Sequence, residues 1–91
     1  MATIIKASGL CEETKDPRIS ISDIIEVVGG EWFEVFPLTR DRKMYVNERW
    51  RFSSEEENST ATTLLRQVVG IERDEEMTGD VVVCNKGEGP I

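Results

Sequence analysis

Apolar residues recur along this chain with two different periods. After Ser20, residues Ile21, Ile24, Ile25 and Val28 fall at i, i+3, i+4 and i+7, the spacing that gathers side chains on one helix face. Ser20 and Asp23 stand three apart, as in a capping box, and Gly29-Gly30 supplies the left-handed residue that closes a helix. The pattern predicts a helix over 21–28 despite its β-branched content. A second helix is predicted from Asn58 or Ser59, either of which can cap it, with Ala61, Leu64, Leu65, Val68 and Val69 on one face and Gly70 as the stop.

Elsewhere the pattern is extended. Residues 2–7, 31–38, 43–47 and 80–85 are short, β-branched or aromatic runs, and each predicts a strand. In the second of these, Phe33 and Val35 point one way and Trp32, Glu34, Phe36 and Leu38 the other. Two apolar sides predict a central strand, or one that covers a second surface. Pro37 lacks the N–H for ladder pairing. The polar turn at 39–42 joins this strand to the next as a β-hairpin. Arg49-Trp50-Arg51-Phe52 alternates basic and aromatic residues and predicts a short strand continuing from it.

Residues 8–19, with Pro17, predict a loop, as do the acidic 53–58 segment and the charged 71–76 connection. The tail 86–91 has no pattern and is expected to be loose. The order is β, α, β, β, short β, α, β. It predicts an α+β domain: a small mixed or antiparallel sheet of about four strands with both helices packed on one face. The chain reads as a single domain over 1–91, with strand and loop at 1–19, the core at 20–85 and the tail at 86–91.

Size and composition narrow the chemistry. With 91 residues, 38% of them hydrophobic, the core is thin, and a shallow groove or a homodimer interface is easier to build than an enclosed active site. There are 18 acidic and 11 basic residues, for a net charge of -7, which argues against direct nucleic-acid binding. The balance is uneven: 9 acids against 7 bases over 1–50, and 9 against 4 over 51–91. Arg40, Arg42, Lys43, Arg49 and Arg51 crowd one segment, so a basic patch and an acidic end are expected.

The absence of histidine removes the usual base near neutral pH, the partner that activates Ser or Cys, and the commonest zinc ligand. Gly29-Gly30 ends a helix, whereas phosphate loops precede one. Neither catalysis, a metal nor a cofactor is expected. The acidic runs Glu55-Glu56-Glu57 and Asp74-Glu75-Glu76 lack the alternating spacing of a calcium loop. They read as solubilising loops or as mimics of a nucleic-acid backbone. Cys11 and Cys84 are too few for a disulfide framework and are expected to be reduced, the alternative being a chance pair in an oxidised sample if the two lie on neighbouring strands. Met1 to Lys6 is unlike a signal peptide and no apolar run approaches a bilayer's width, so a cytoplasmic location is expected.

Candidate binding residues cluster at the hairpin. Arg40, Arg42, Lys43, Arg49 and Arg51 suit an anion or phosphate patch, or a solvated hairpin that resists aggregation. Tyr45, Trp50 and Trp32 could stack on a base. Asn47 and Glu48 read as a polar ligand anchor or as a side-chain-capped turn. Trp32, Phe33 and Phe36 read as core, with Trp32 an interface residue if exposed.

The runs Ile24-Ile25-Glu26-Val27-Val28-Gly29-Gly30 and Trp32-Phe33-Glu34-Val35-Phe36-Pro37-Leu38 resemble the signature of a small phage- and plasmid-encoded family catalogued as domain of unknown function 3846. Tyr45-Val46-Asn47-Glu48, then Asn58, Ala61 and Leu64-Leu65, and the closing Gly79-Asp80-Val81-Val82-Val83 are similar to further motifs of that family, in the same order. The resemblance spans roughly residues 20–85. The chain departs from it over 49–57, where the family has a short apolar step and a proline-rich turn. The resemblance implies a mobile-element origin and little chemistry. Together with the composition it leads to the expectation of a non-catalytic interaction protein that binds and modulates or inhibits a host macromolecule, such as an anti-defence factor. The alternative is a nucleotide-binding sponge with its pocket at a dimer interface.

Overall fold

A strand that is apolar at every position has to be covered on both sides. Val81-Val82-Val83-Cys84 is such a run, and the fold is arranged around it. The structure, a computed structural model, describes residues 2–52, 55–68 and 75–90. In chain order the elements are β1 (Thr3–Ile5), β2 (Cys11–Glu13), α1 (Ile21–Val28), β3 (Phe33–Pro37), β4 (Arg42–Asn47), a 3₁₀ turn (Trp50–Phe52), α2 (Ser59–Val68) and β5 (Val81–Asn85). The strands form one sheet in the order β2-β1-β5-β4-β3, with β5 in the middle and every neighbouring pair antiparallel.

The α+β class and the β3–β4 hairpin agree with the sequence pattern, and the arrangement of strands and layers differs in four places. The helices lie on opposite faces of the sheet, not on one. Val82, Cys84, Tyr45 and Phe33 pack with Ile24 and Val28 of α1. Val81, Val83, Met44, Val46 and Ile5 pack with Ala61 and Leu65 of α2, and Leu38, Trp50 and Met77 extend that second cluster. With both faces of β4 and β5 apolar, one layer of helices would have left the other face in water.

Second, residues 11–13, expected in a loop, pair with β1 as a fifth strand, Ile5 facing Cys11 and Thr3 facing Glu13. All three are exposed, so backbone pairing holds them without any apolar signal. Their acidic side chains protect the sheet edge. Third, β3 is the opposite edge strand, not a central one. Its two apolar sides are used by Phe33 and Val35 toward α1 and by Phe36 toward the α2 layer, and at an edge Pro37 leaves no inner ladder broken. Fourth, the expected strand at 49–52 is a 3₁₀ turn that drives Trp50 into the core.

The helix ends follow local chemistry. Ser20 Oγ accepts the Asp23 N–H at 3.2 Å. At the other end Gly29 adopts φ 77° and its N–H reaches the Ile25 carbonyl at 2.9 Å, a conformation costly for any side chain. α2 is capped by Asn58, 1% exposed, whose Oδ1 accepts the Ala61 N–H at 3.1 Å. Its Nδ2 donates to the Ile5 and Gly79 carbonyls, each at 2.9 Å. The buried face of α2 is Ala61, Thr62 and Leu65; Val68, expected there, is exposed, while Val69 and Gly70 lie outside the described residues. Thr62 donates its Oγ1–H to the Asn58 carbonyl and accepts the Met77 N–H, both at 2.8 Å.

The tail is also structured through residue 90. Asn85 N–H donates to Glu88 Oε1 at 2.7 Å, Glu88 N–H returns to the Asn85 carbonyl at 3.0 Å, and Ile19 N–H donates to the Glu88 carbonyl at 2.8 Å. No apolar pattern announces it, because it is held by these hydrogen bonds and by the close approach of Gly89 to Tyr45.

Replacing Asn58 by Ala strands two buried carbonyls and the helix cap, and is expected to cost about 3 kcal/mol. Asn58→Ser restores the cap acceptor only and should recover roughly 1 kcal/mol of that. Urea midpoints at unchanged slope measure both; an Asn58→Ala midpoint equal to wild type would remove Asn58 from the account of stability.

Candidate functional site

β4 carries four of the nine residues that the sequence nominates, Arg42, Lys43, Tyr45 and Asn47, and the others flank its two ends, so the strand separates them into two groups. At its start, Arg40 and Asp41 sit in the hairpin turn and Lys43 at the second strand position. Leu38 N–H and Thr39 N–H both donate to the Arg42 carbonyl, at 2.9 and 3.2 Å, and this fixes the turn. Because β4 and β5 are antiparallel, with Arg42 facing Asn85 and Lys43 facing Cys84, the residues following β5 arrive at the same end. There a pocket of about 450 Å3 is lined by Arg40, Asp41, Lys43 and Lys86, with Tyr45 and Cys84 among its inner residues. Arg42 is exposed beside it.

Tyr45 is 0% exposed. Its ring meets Phe33 edge-on at 5.3 Å, and a Cβ added at Gly89 would lie 2.6 Å from its hydroxyl. Only glycine lets the tail pass this close. The Cys84 thiol is pushed up to about 11 by burial and, secondarily, by the negative charge of Glu88. At neutral pH it is a protonated thiol and not a nucleophile.

The other group lies at the far end of β4. Asn47 Oδ1 accepts the Arg49 N–H at 2.9 Å and its Nδ2 donates to the Val28 carbonyl at 3.4 Å, so Asn47 is a turn cap that also ties down the end of α1. Glu48 and Arg49 are exposed. Trp50 is 1% exposed. Its Nε1–H donates to Glu34 Oε1 at 3.1 Å, and its ring packs edge-on to Phe36 at 6.3 Å. Arg51 covers that ring, its guanidinium carbon 4.4 Å from the centroid, and pairs through Nε with Glu75 Oε2 at 3.0 Å.

Tyr45 and Trp50 are thus core residues, and neither offers a ring face to a base. Their side of the strand decides this: Tyr45 faces α1 and Trp50 is turned inward by the 3₁₀ turn. Of the nine candidates, Arg40 and Lys43 share the pocket with Tyr45 beneath them, while Glu48 and Arg49 form a separate exposed group.

Two residues outside that set complete the second group. Phe52 is 89% exposed and Trp32 is 47% exposed. Trp32 stacks on Phe33 at 4.8 Å and its carbonyl accepts the Glu48 N–H at 3.2 Å. Phe52 N–H donates to the Arg49 carbonyl at 2.9 Å, and Thr78 Oγ1 donates to the Trp50 carbonyl at 2.8 Å. The turn presenting Phe52 is therefore anchored from both sides of Trp50. The sequence signal for it was the alternation over 49–52, which as a strand would put Trp50 and Phe52 on one face; the 3₁₀ turn separates them.

The acidic segments are partly tied down. Glu55, Glu56 and Glu57 are exposed, but the backbone of 56–58 is strapped to 77–79: Asn58 N–H donates to the Met77 carbonyl at 2.7 Å and Gly79 N–H to the Glu56 carbonyl at 2.8 Å. The Glu57 carboxyl is raised above its ordinary range by lost hydration and by Glu76. Glu75 is engaged with Arg51, and Asp74 lies outside the described residues. Among the described residues no three of Cys, Asp and Glu gather as a metal-ligand set, and no helix is long and apolar enough to cross a membrane.

Both cysteines are free. β1 lies between their strands, so they are not on neighbouring strands and cannot reach disulfide distance in this fold. No family model, curated protein or solved structure matches the chain, so the resemblance to the phage- and plasmid-encoded family rests on its motifs.

One thiol, Cys11, is expected to react with a disulfide reagent in the native protein, and the second only on unfolding. Because the Cys84 pKa is raised in the folded state, the stabilising difference is complete below the ordinary thiol pKa and is lost as pH rises toward about 11. Cys84→Ala should flatten that alkaline decline in urea midpoints; two thiols reacting at once in native buffer would contradict the burial of Cys84.

Proposed function

We propose that the protein is a small, non-catalytic binding module that captures a macromolecular partner through the end of the sheet bearing Trp32, Glu48, Arg49 and Phe52. The observation that supports this best is Phe52, 89% exposed at the end of a turn whose Trp50 is buried. Water-exposed aromatic surface of this kind is costly to keep and favourable to cover. The turn is held by hydrogen bonds before any partner arrives, so little ordering entropy is lost on binding. Glu48 and Arg49 supply opposite charges beside it, the arrangement in which an apolar anchor gives affinity and charged neighbours give orientation.

A non-catalytic reading is supported by the chemistry at hand. The chain has no histidine, and the Cys84 thiol is held protonated. The resemblance to a phage- and plasmid-encoded family points to a host macromolecule as the partner, with modulation or inhibition as the outcome. A net charge of -7 favours a protein over a nucleic acid.

The test is quantitative capture from a bacterial lysate by tagged protein, with Phe52→Ser and Arg49→Glu variants alongside. Both residues are exposed, so melting temperatures should stay within about 2 °C of wild type. A stoichiometric partner bound by wild type is expected to lose at least about tenfold in affinity with Phe52→Ser. A partner retained equally by both variants would dismiss this surface.

A further inference from the structure

The pocket at the hairpin tip carries a charge balance opposite to that of the depression between β1 and α1. Arg40, Lys43 and Lys86 line it against the single carboxylate of Asp41. The depression between β1 and α1 sets Lys6, Lys15 and Arg18 against five carboxylates. Among the described residues none of the three tip cations is ion-paired. The nearby Glu88 carboxylate is turned onto the Asn85 N–H at 2.7 Å. In a chain of net charge -7, three unpaired cations around one cavity repel each other, and an anion would relieve that repulsion.

The walls are built before any ligand arrives. The hairpin turn is closed on the Arg42 carbonyl, and residues 85–88 form a turn locked to Ile19. We propose that this pocket binds a small phosphorylated polyol, such as a sugar phosphate, through its phosphate group. A phosphate monoester carries about -1.5 to -2 charges at neutral pH, opposite in sign to the local excess of positive charge. Arg40 brings a planar fork suited to two phosphate oxygens, and Lys43 and Lys86 bring point charges. The volume of about 450 Å3 exceeds what a bare phosphate fills and lies in the range of small-ligand sites. Asp41 on the rim is an acceptor for a ligand hydroxyl. An aromatic base finds no platform, because Tyr45 is wholly buried.

The site is separate from the Phe52 surface, and the two can fail independently. The test is an amide NMR titration of the wild-type protein with glucose 6-phosphate, and with glucose, inorganic phosphate and adenosine monophosphate as comparisons. Expected are shifts of the backbone amides of Arg40, Lys43 and Lys86 with glucose 6-phosphate, weaker ones with inorganic phosphate and none with glucose, all diminishing with added salt. Arg40→Gln, Lys43→Gln and Lys86→Gln should each weaken binding roughly fivefold and the triple variant should abolish it, whereas Phe52→Ser should leave it unchanged. No response to millimolar phosphate compounds overturns the proposal, as does binding retained by the triple variant or a glucose response equal to that of its phosphate. Markedly tighter binding of adenosine monophosphate overturns the assignment to a polyol.

Discussion

The amide of Asn58 is the contact on which the two layers of this fold depend. One buried side chain closes the first turn of α2, holds the end of β1 through the Ile5 carbonyl and holds the entry to β5 through the Gly79 carbonyl. It uses both donors and its acceptor at a position only 1% exposed, where unmet polar groups are costly. Thr62 continues the network to Met77. α2 is only ten residues long and would be marginal as an isolated helix. Its position against the sheet is set by these hydrogen bonds as much as by Ala61 and Leu65.

That network explains what a reading of the chain could and could not reach. Asn58 was readable as a cap, because capping is local. Its two bonds to distant carbonyls were not, because nothing near residue 58 encodes the proximity of residues 5 and 79. The same division runs through the fold. α1, with its caps, and the β3–β4 hairpin were readable from spacing and turn residues. The sides on which the helices pack were not drawn from the double-sided apolarity of Val81 to Cys84, although that feature demanded two layers. β2 escaped notice because Cys11-Glu12-Glu13 is exposed throughout and pairs through its backbone alone.

The candidate site shows the same limit at the level of single side chains. Tyr45 and Trp50 have the composition of a stacking platform and the position of core residues. As a strand, Trp50 and Phe52 would share one face; the 3₁₀ turn separates them and leaves Trp50 inward and Phe52 in water. The cations were readable as a group, but Lys86 was not among them. It joins Arg40 and Lys43 only because β5 runs antiparallel to β4 and ends where the hairpin turns.

The five bases between residues 40 and 51 are close in sequence and far apart in space. β4 spans six residues, which at about 3.4 Å each is roughly 20 Å. That distance is more than twice the screening length of about 8 Å at physiological salt. The two ends therefore do not act as one basic patch. Arg51 is further removed by its ion pair with Glu75 and its place over Trp50, which leaves Arg49 beside Phe52 as a rim charge. Arg40, Lys43 and Lys86 form the denser positive field, around a cavity instead of an aromatic anchor. A convex apolar anchor suits a macromolecular surface, and a concave cationic one suits a small anion. The antiparallel pairing of β4 with β5 is what assigns them to different ends of one short strand.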